Sequence, residues 1–129
     1  MLRDAPAERG SAVVEFALVL PILLMVTLAV VQVGLVARDQ LMVVQASRAG
    51  AREAAVGADE ATIRSAALNA AAGLDAGALG VEVARAGTLG EPVTVTVEYA
   101  ESIRVPMVGW LFPAGITLRS SAVARQEFA

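Results

Sequence analysis

The chain has 129 residues, a formal net charge of −3, and neither His nor Cys. Disulfides, thiol catalysis and the usual zinc and copper ligand sets are thereby excluded. Its ten basic residues are all arginine and are spread along the chain without a basic cluster, which argues against nucleic acid as a partner.

Residues 1–10 form a short charged leader that ends at the Gly10-Ser11 junction. Glu15 follows five residues after Gly10, and Phe16 then opens an uncharged run, FALVLPILLMVTLAVVQVGLVA, that ends at Ala37. As a helix this run covers about 33 Å, enough to cross a hydrocarbon core of ~30 Å. In a chain of this size too little other protein remains to bury it, so the run is read as a membrane span. Thr27 and Gln32 are tolerable there if backbone or another helix satisfies them. Pro21 is expected to bend the helix, because the carbonyl of Ala17 loses its donor. A secretory signal peptide would have a shorter apolar region and a small-residue cleavage site near its end, and Val36-Ala37-Arg38 is a poor one. Loop charge leaves orientation open: Arg3 and Arg9 precede the span, and Arg38, Arg48 and Arg52 follow it.

From Arg38 to Val56 there is no Pro and good helix formers predominate, so the helix is predicted to run on into the aqueous phase. Two rows of small residues lie along it, Ala46, Gly50 and Ala54 in one and Ser47, Ala51 and Ala55 beside it. Small rows permit close helix approach. They fit either assembly with another helix or a face covered by the chain's own domain. Arg48 and Arg52, one turn apart, read as a solvated face or as partners for nearby acids. Gly57 is a C-cap.

Asp59 is predicted to cap a second helix, Glu60 to Ala72, with Ile63 and Ala67, and with Ala70 and Leu74, turned inward. Gly73, Gly77 and Gly80 mark a turn-rich link. The period then changes to two. Val81 and Val83 alternate with Glu82 and Ala84, and Val93, Val95, Val97 and Tyr99 alternate with Thr94, Thr96 and Glu98. The intervening Ala86-Gly87-Thr88-Leu89-Gly90 predicts an antiparallel hairpin with a loop longer than two residues. A third strand is expected from Ile116 to about Gln126. Before it, Trp110, Leu111 and Phe112 sit between Pro106 and Pro113, as an interface patch, a segment dipping into the outer leaflet, or the aromatic closure of the core.

The predicted fold class is α+β: a long N-terminal transmembrane helix continuing into a small domain with a second short helix and an approximately three-stranded antiparallel sheet, pilin-like in outline. The chain divides into a leader at 1–10, a membrane-spanning helix at 11–37, a helix extension at 38–57 and a small α+β domain at 58–129. No nucleophile–base pair and no phosphate-binding glycine loop is present, so the expectation is of a protein that is not an enzyme and needs no cofactor or metal.

Gly10-Ser11, Glu15-Phe16 and Pro21, followed after the span by Gln45-Ala46-Ser47-Arg48-Ala49-Gly50-Ala51-Arg52, resemble the TadE-like minor pseudopilins of tight-adherence (Flp-type) pilus systems. A fainter likeness extends over Ile116-Thr117-Leu118 and Val123-Ala124-Arg125-Gln126-Glu127. The resemblance implies a cytoplasmic prepilin leader, cut between Gly10 and Ser11 by a membrane prepilin peptidase, with Glu15 at the fifth mature position. It implies a single-pass protein of the cytoplasmic membrane with its C-terminal domain extracytoplasmic. The implied partners are the lipid bilayer, other pseudopilins or pilins, and inner-membrane assembly proteins. The mature first residue would be Ser, where many type IV pilins have Phe. Gly10 would let the backbone lie extended in a protease cleft. The new amine would sit about 6 Å along the helix from Glu15. An isolated carboxylate in the bilayer costs roughly 2.5–3.5 kcal/mol, which an amine of the same or a neighbouring subunit would offset. The competing reading is a membrane-anchored extracytoplasmic binding module with an uncleaved N-terminus.

Overall fold

The computed structural model describes residues 6–87, 89–101 and 115–127, with side chains from residue 10 onward. Its first helix, α1, spans Pro6–Ala55, fifty residues or about 75 Å. The helix begins before residue 11, inside the charged leader. Pro at a first helical position has its φ preset and lacks only a donor that would be unused, and Ala7 and Glu8 favour helix. The helix continues through Pro21.

From Gly10 to Leu28 every residue of α1 is exposed. An 18-residue window with mean hydropathy 2.6 is wholly unburied, and Phe16, Leu18 and Ile22 are each more than 60% exposed. By length and composition this helix is able to cross a membrane, and water is an unfavourable solvent for such a surface.

Beyond the span, α1 becomes the backbone of a small α+β domain. Its C-terminus is closed by three donors. Gly57, at φ 78°, donates to Ala54 O at 3.3 Å, and Ala58 N donates to Glu53 O at 3.2 Å. The third comes from the far end of the chain: Glu127 N donates to Ala55 O at 2.8 Å.

The second helix, α2, spans Glu60–Ala70, and Asp59 Oδ1 accepts from Thr62 N at 3.1 Å as its N-cap. These Thr62 bonds hold the Asp59 carboxyl below its ordinary range. Ile63 and Ala67 are fully buried, and Ala70 and Leu74 are half-buried. The helix ends two residues before Ala72, where Ala71 N is shared between Ala67 O and Leu68 O. The glycine-rich link holds a 3-10 turn, Ala76–Ala78, capped by Asp75 Oδ1, which accepts from Gly77 N at 2.9 Å.

Three antiparallel strands follow in the order β1-β2-β3, with β1 at Leu79–Arg85, β2 at Pro92–Glu101 and β3 at Ile116–Arg125. Gly80, read as part of the link, is inside β1. In the β1–β2 loop Gly87 and Gly90 adopt φ 112° and 84°, values that disfavour any side chain. The alternation of β2 holds: Val93, Val95 and Val97 are fully buried, and they meet Val43, Ala46 and Ala54 of α1 in a single core cluster. Both helices lie on one face of the sheet. Trp110, Leu111 and Phe112 fall outside the described residues.

Candidate processing and assembly site

The five-residue spacing from Gly10 to Glu15 places Ser11 and Glu15 one helical turn apart. In the folded chain the Ser11 hydroxyl donates to Glu15 Oε1 at 3.2 Å. Gly10 itself is helical in the structure, and beyond its own stretch of helix no atom of the described residues lies within 4 Å of where its Cβ would stand. An extended backbone at this bond would therefore require the first turns of α1 to unwind. Glycine weakens a helix interior by roughly 0.5–1 kcal/mol relative to Ala, so the turn that must open is a weak one. While residues 6–10 stay helical, Glu15 stands beyond the first turn, where the helix dipole does little for it. Removal of those residues would bring the helix N-terminus to Ser11, one turn from Glu15. Phe16 and Pro21, the other motif residues, are exposed on the bare helix.

The two polar residues of the span are accommodated differently. Thr27 Oγ1 donates to Leu23 O at 2.8 Å, one turn back on its own helix. Gln32 is only 7% exposed. It lines an apolar groove of about 350 Å³ with Val33, Val36, Ala37, Gln40, Ile116 and Leu118 at the foot of the domain. Gln40 leaves the span at this level and donates from Nε2 to Arg119 O at 3.2 Å, tying α1 to β3.

Both small-residue rows are occupied from within the molecule. Ala46, Ser47, Gly50, Ala51 and Ala54 are buried and Ala55 is half-buried. A Cβ on Gly50 would meet Val95 Cγ1 at 2.9 Å, Ile63 Cγ2 at 3.5 Å and Ala67 Cβ at 3.7 Å. Ser47 is hydrogen-bonded to Ser120 across the interface at 3.0 Å. The close approach that small side chains permit is made by α2 and the sheet. These rows therefore offer little surface to a second chain while the domain is folded on them.

A feature without a local sequence signal is the meeting of Asp39 and Glu101. Glu101 ends β2 on its inward face, and Oε2 is buried with no hydrogen-bond partner among the described residues. Burial first, and then the Asp39 carboxylate beside it, push the Glu101 carboxyl above its ordinary value. Asp39 is in turn paired with Arg38 at 3.5 Å. Among the described residues no group of three or more acids could hold a metal ion.

The model of the TadE-like protein family matches residues 10–52. The matched stretch begins at Gly10, includes Glu15 and the whole apolar run, and ends at Arg52 on the aqueous extension. No curated protein and no solved structure matches the chain.

Proposed function

We propose that this chain is a minor pseudopilin of a tight-adherence type pilus system, cut by a prepilin peptidase between Gly10 and Ser11 and assembled through α1. The TadE-like match over residues 10–52 supports a role in such a system. The observation that carries the finer reading is the Ser11–Glu15 hydrogen bond at the head of an unburied apolar helix. It already joins the residue that would become the N-terminus to the lone acid bordering the span. After cleavage the Ser11 amine, or that of a neighbouring subunit, replaces a neutral donor with a charged one. A charge-assisted bond is roughly twice as strong as a neutral one, and here it would also fix axial register between stacked helices. In this reading the leader is cytoplasmic, the domain extracytoplasmic, and the protein is the substrate of an enzyme and not itself one.

N-terminal sequencing or intact mass of the membrane-bound protein, in cells with an active prepilin peptidase, tests the cut. A chain beginning at Ser11 is expected, and an intact Met1 leader would favour a tethered binding module instead. Glu15→Val tests the second half. That variant should be processed yet enter complexes poorly, and normal assembly would remove the register role.

A further inference from the structure

The extension of α1 turns one face to α2 and the sheet and the opposite face to water. On that outer face Arg38, Leu41, Gln45, Arg48, Arg52 and Val56 succeed one another at helical spacing, and all six are exposed. The stripe holds three guanidinium groups and no carboxylate. Arg48 and Arg52 make no ion pair among the described residues.

The other broad face of the module is the outer surface of the sheet, whose β1–β2 edge holds two carboxylates in a concave setting, while Arg119 and Arg125 lie on the same face along β3. Glu82 and Glu98, both exposed, flank a shallow dent of about 160 Å³. The register pairs Glu82 with Thr96 and Gly80 with Glu98, so the two carboxylates are diagonal neighbours on adjacent strands. Arg119 reaches Glu98 at 3.3 Å from the rim, and both partners of that pair remain substantially exposed. Glu82 has no such partner among the described residues. A planar guanidinium with five donors suits a hollow flanked by two carboxylates.

The two faces also stand at matching heights. Gly50 lies against Val95, and Val95 is paired with Val83, beside Glu82. This places the dent at about the level of the Arg48–Arg52 turn, on the far side of the module. A bilayer that holds the span of every copy at one depth would bring the Arg face of one copy opposite the Glu face of the next by sideways translation alone.

We propose that Arg48 and Arg52 of one copy dock against the Glu82–Glu98 dent of a second copy of this chain. The two surfaces differ, so the contact is heterologous and leaves the Arg face free at one end and the Glu face free at the other, which permits rows longer than a dimer. Exposed ion pairs are individually weak. They set orientation here, while confinement to a membrane supplies the effective concentration. The proposal rests on the membrane-spanning part of the reading above and is independent of cleavage at Gly10.

The chain lacks cysteine, which makes the test direct. The full-length uncut chain carrying Gln45→Cys and Ala84→Cys is reconstituted in phosphatidylcholine vesicles and treated with a short bis-maleimide. A ladder extending beyond dimer is expected, with little product from either single-cysteine chain. Adding Arg48→Glu and Arg52→Glu should cut the ladder severalfold, and adding Glu82→Arg and Glu98→Arg to that chain should restore it. No ladder, a ladder indifferent to charge reversal, or dimers from Gln45→Cys alone would each overturn the proposal. Absence of a ladder is also the outcome if the Arg face serves an acidic protein or an anionic lipid. Because the chain tested is uncut, its result and the N-terminal mass can fail separately.

Discussion

Gly50 and Val95 are too close for any larger residue at position 50: a Cβ there would lie 2.9 Å from Val95 Cγ1. Val95 is fully buried and β-branched, so its methyl has little freedom to withdraw. Gly50→Ala sets an overpacking cost of about 1–3 kcal/mol against a helix-propensity gain of about 1 kcal/mol. A net loss is expected in urea unfolding of the detergent-solubilised chain followed by circular dichroism. Gly34→Ala, with open space around it, carries only the propensity gain, so its midpoint should hold or rise, and it serves as the control. A Gly50→Ala midpoint that likewise holds or rises would mean that helix and sheet do not meet there.

Gly73→Ala should behave more mildly, although its Cβ would come even closer to a neighbour, at 2.7 Å from Met42 Cε. That neighbour is the far end of a flexible thioether side chain, which can rotate away. A cost of less than about 1 kcal/mol is expected from the same unfolding experiment. A loss larger than that of Gly50→Ala would show that Met42 is locked.

Ser47 and Ser120 form a hydrogen-bonded pair between α1 and β3, and Ser47 is 1% exposed. Removing one hydroxyl should cost about 1 kcal/mol. Ser47 also donates locally, at 2.9 Å to Val44 O, so part of that loss is independent of Ser120. In a double-mutant cycle, Ser47→Ala with Ser120→Ala should cost less than the sum of the single changes. Strict additivity would show that the two hydroxyls do not interact.

Two carboxyls give the stability of the domain opposite pH dependences. The raised pKa of Glu101 means that the folded state binds its proton more tightly than the unfolded chain does. Its contribution is fully present below the ordinary value of 4.5 and is lost as pH rises through the raised one. Asp59 has a lowered pKa, so its contribution is present above 3.8 and disappears as pH falls below that. Glu101→Gln should therefore raise stability at neutral pH and flatten the profile just above 4.5. Asp59→Ala should lower stability at neutral pH and flatten the profile below 3.8. Thermal unfolding midpoints across pH 3 to 7 measure both; a Glu101→Gln profile parallel to the parent would show that folding does not raise the Glu101 carboxyl.

Much of the fold was legible because its signals are local. Asp59 and Gly57 are read as caps from neighbours three or four residues away, and β2 from the alternation of Val93 to Tyr99. The early start of α1 was missed because the charges of the leader suggested a polar tail, whereas Pro6 and the residues after it are compatible with helix. The 3-10 turn at Ala76–Ala78 was hidden among glycines that suggested only a link. At the candidate site, the Gly10-Ser11-Glu15 spacing was visible directly, since one helical turn brings Ser11 and Glu15 together. The pairing of Asp39 with Glu101 carried no sequence signal, because 62 positions separate them and neither belongs to a motif.

By itself the sequence determined where α1 is apolar, where it stops and which strand faces turn inward, because hydropathy period and capping chemistry act over a few residues. Only the tertiary structure decided what fills the faces so defined. A row such as Ala46, Gly50 and Ala54 announces that something can approach closely, but its side chains are too small to specify what. Here the approach is made by Ile63, Ala67 and Val95, brought from separate segments by the packing of α2 and the sheet. That packing turns the small-residue face inward and leaves the arginine face of the same helix open.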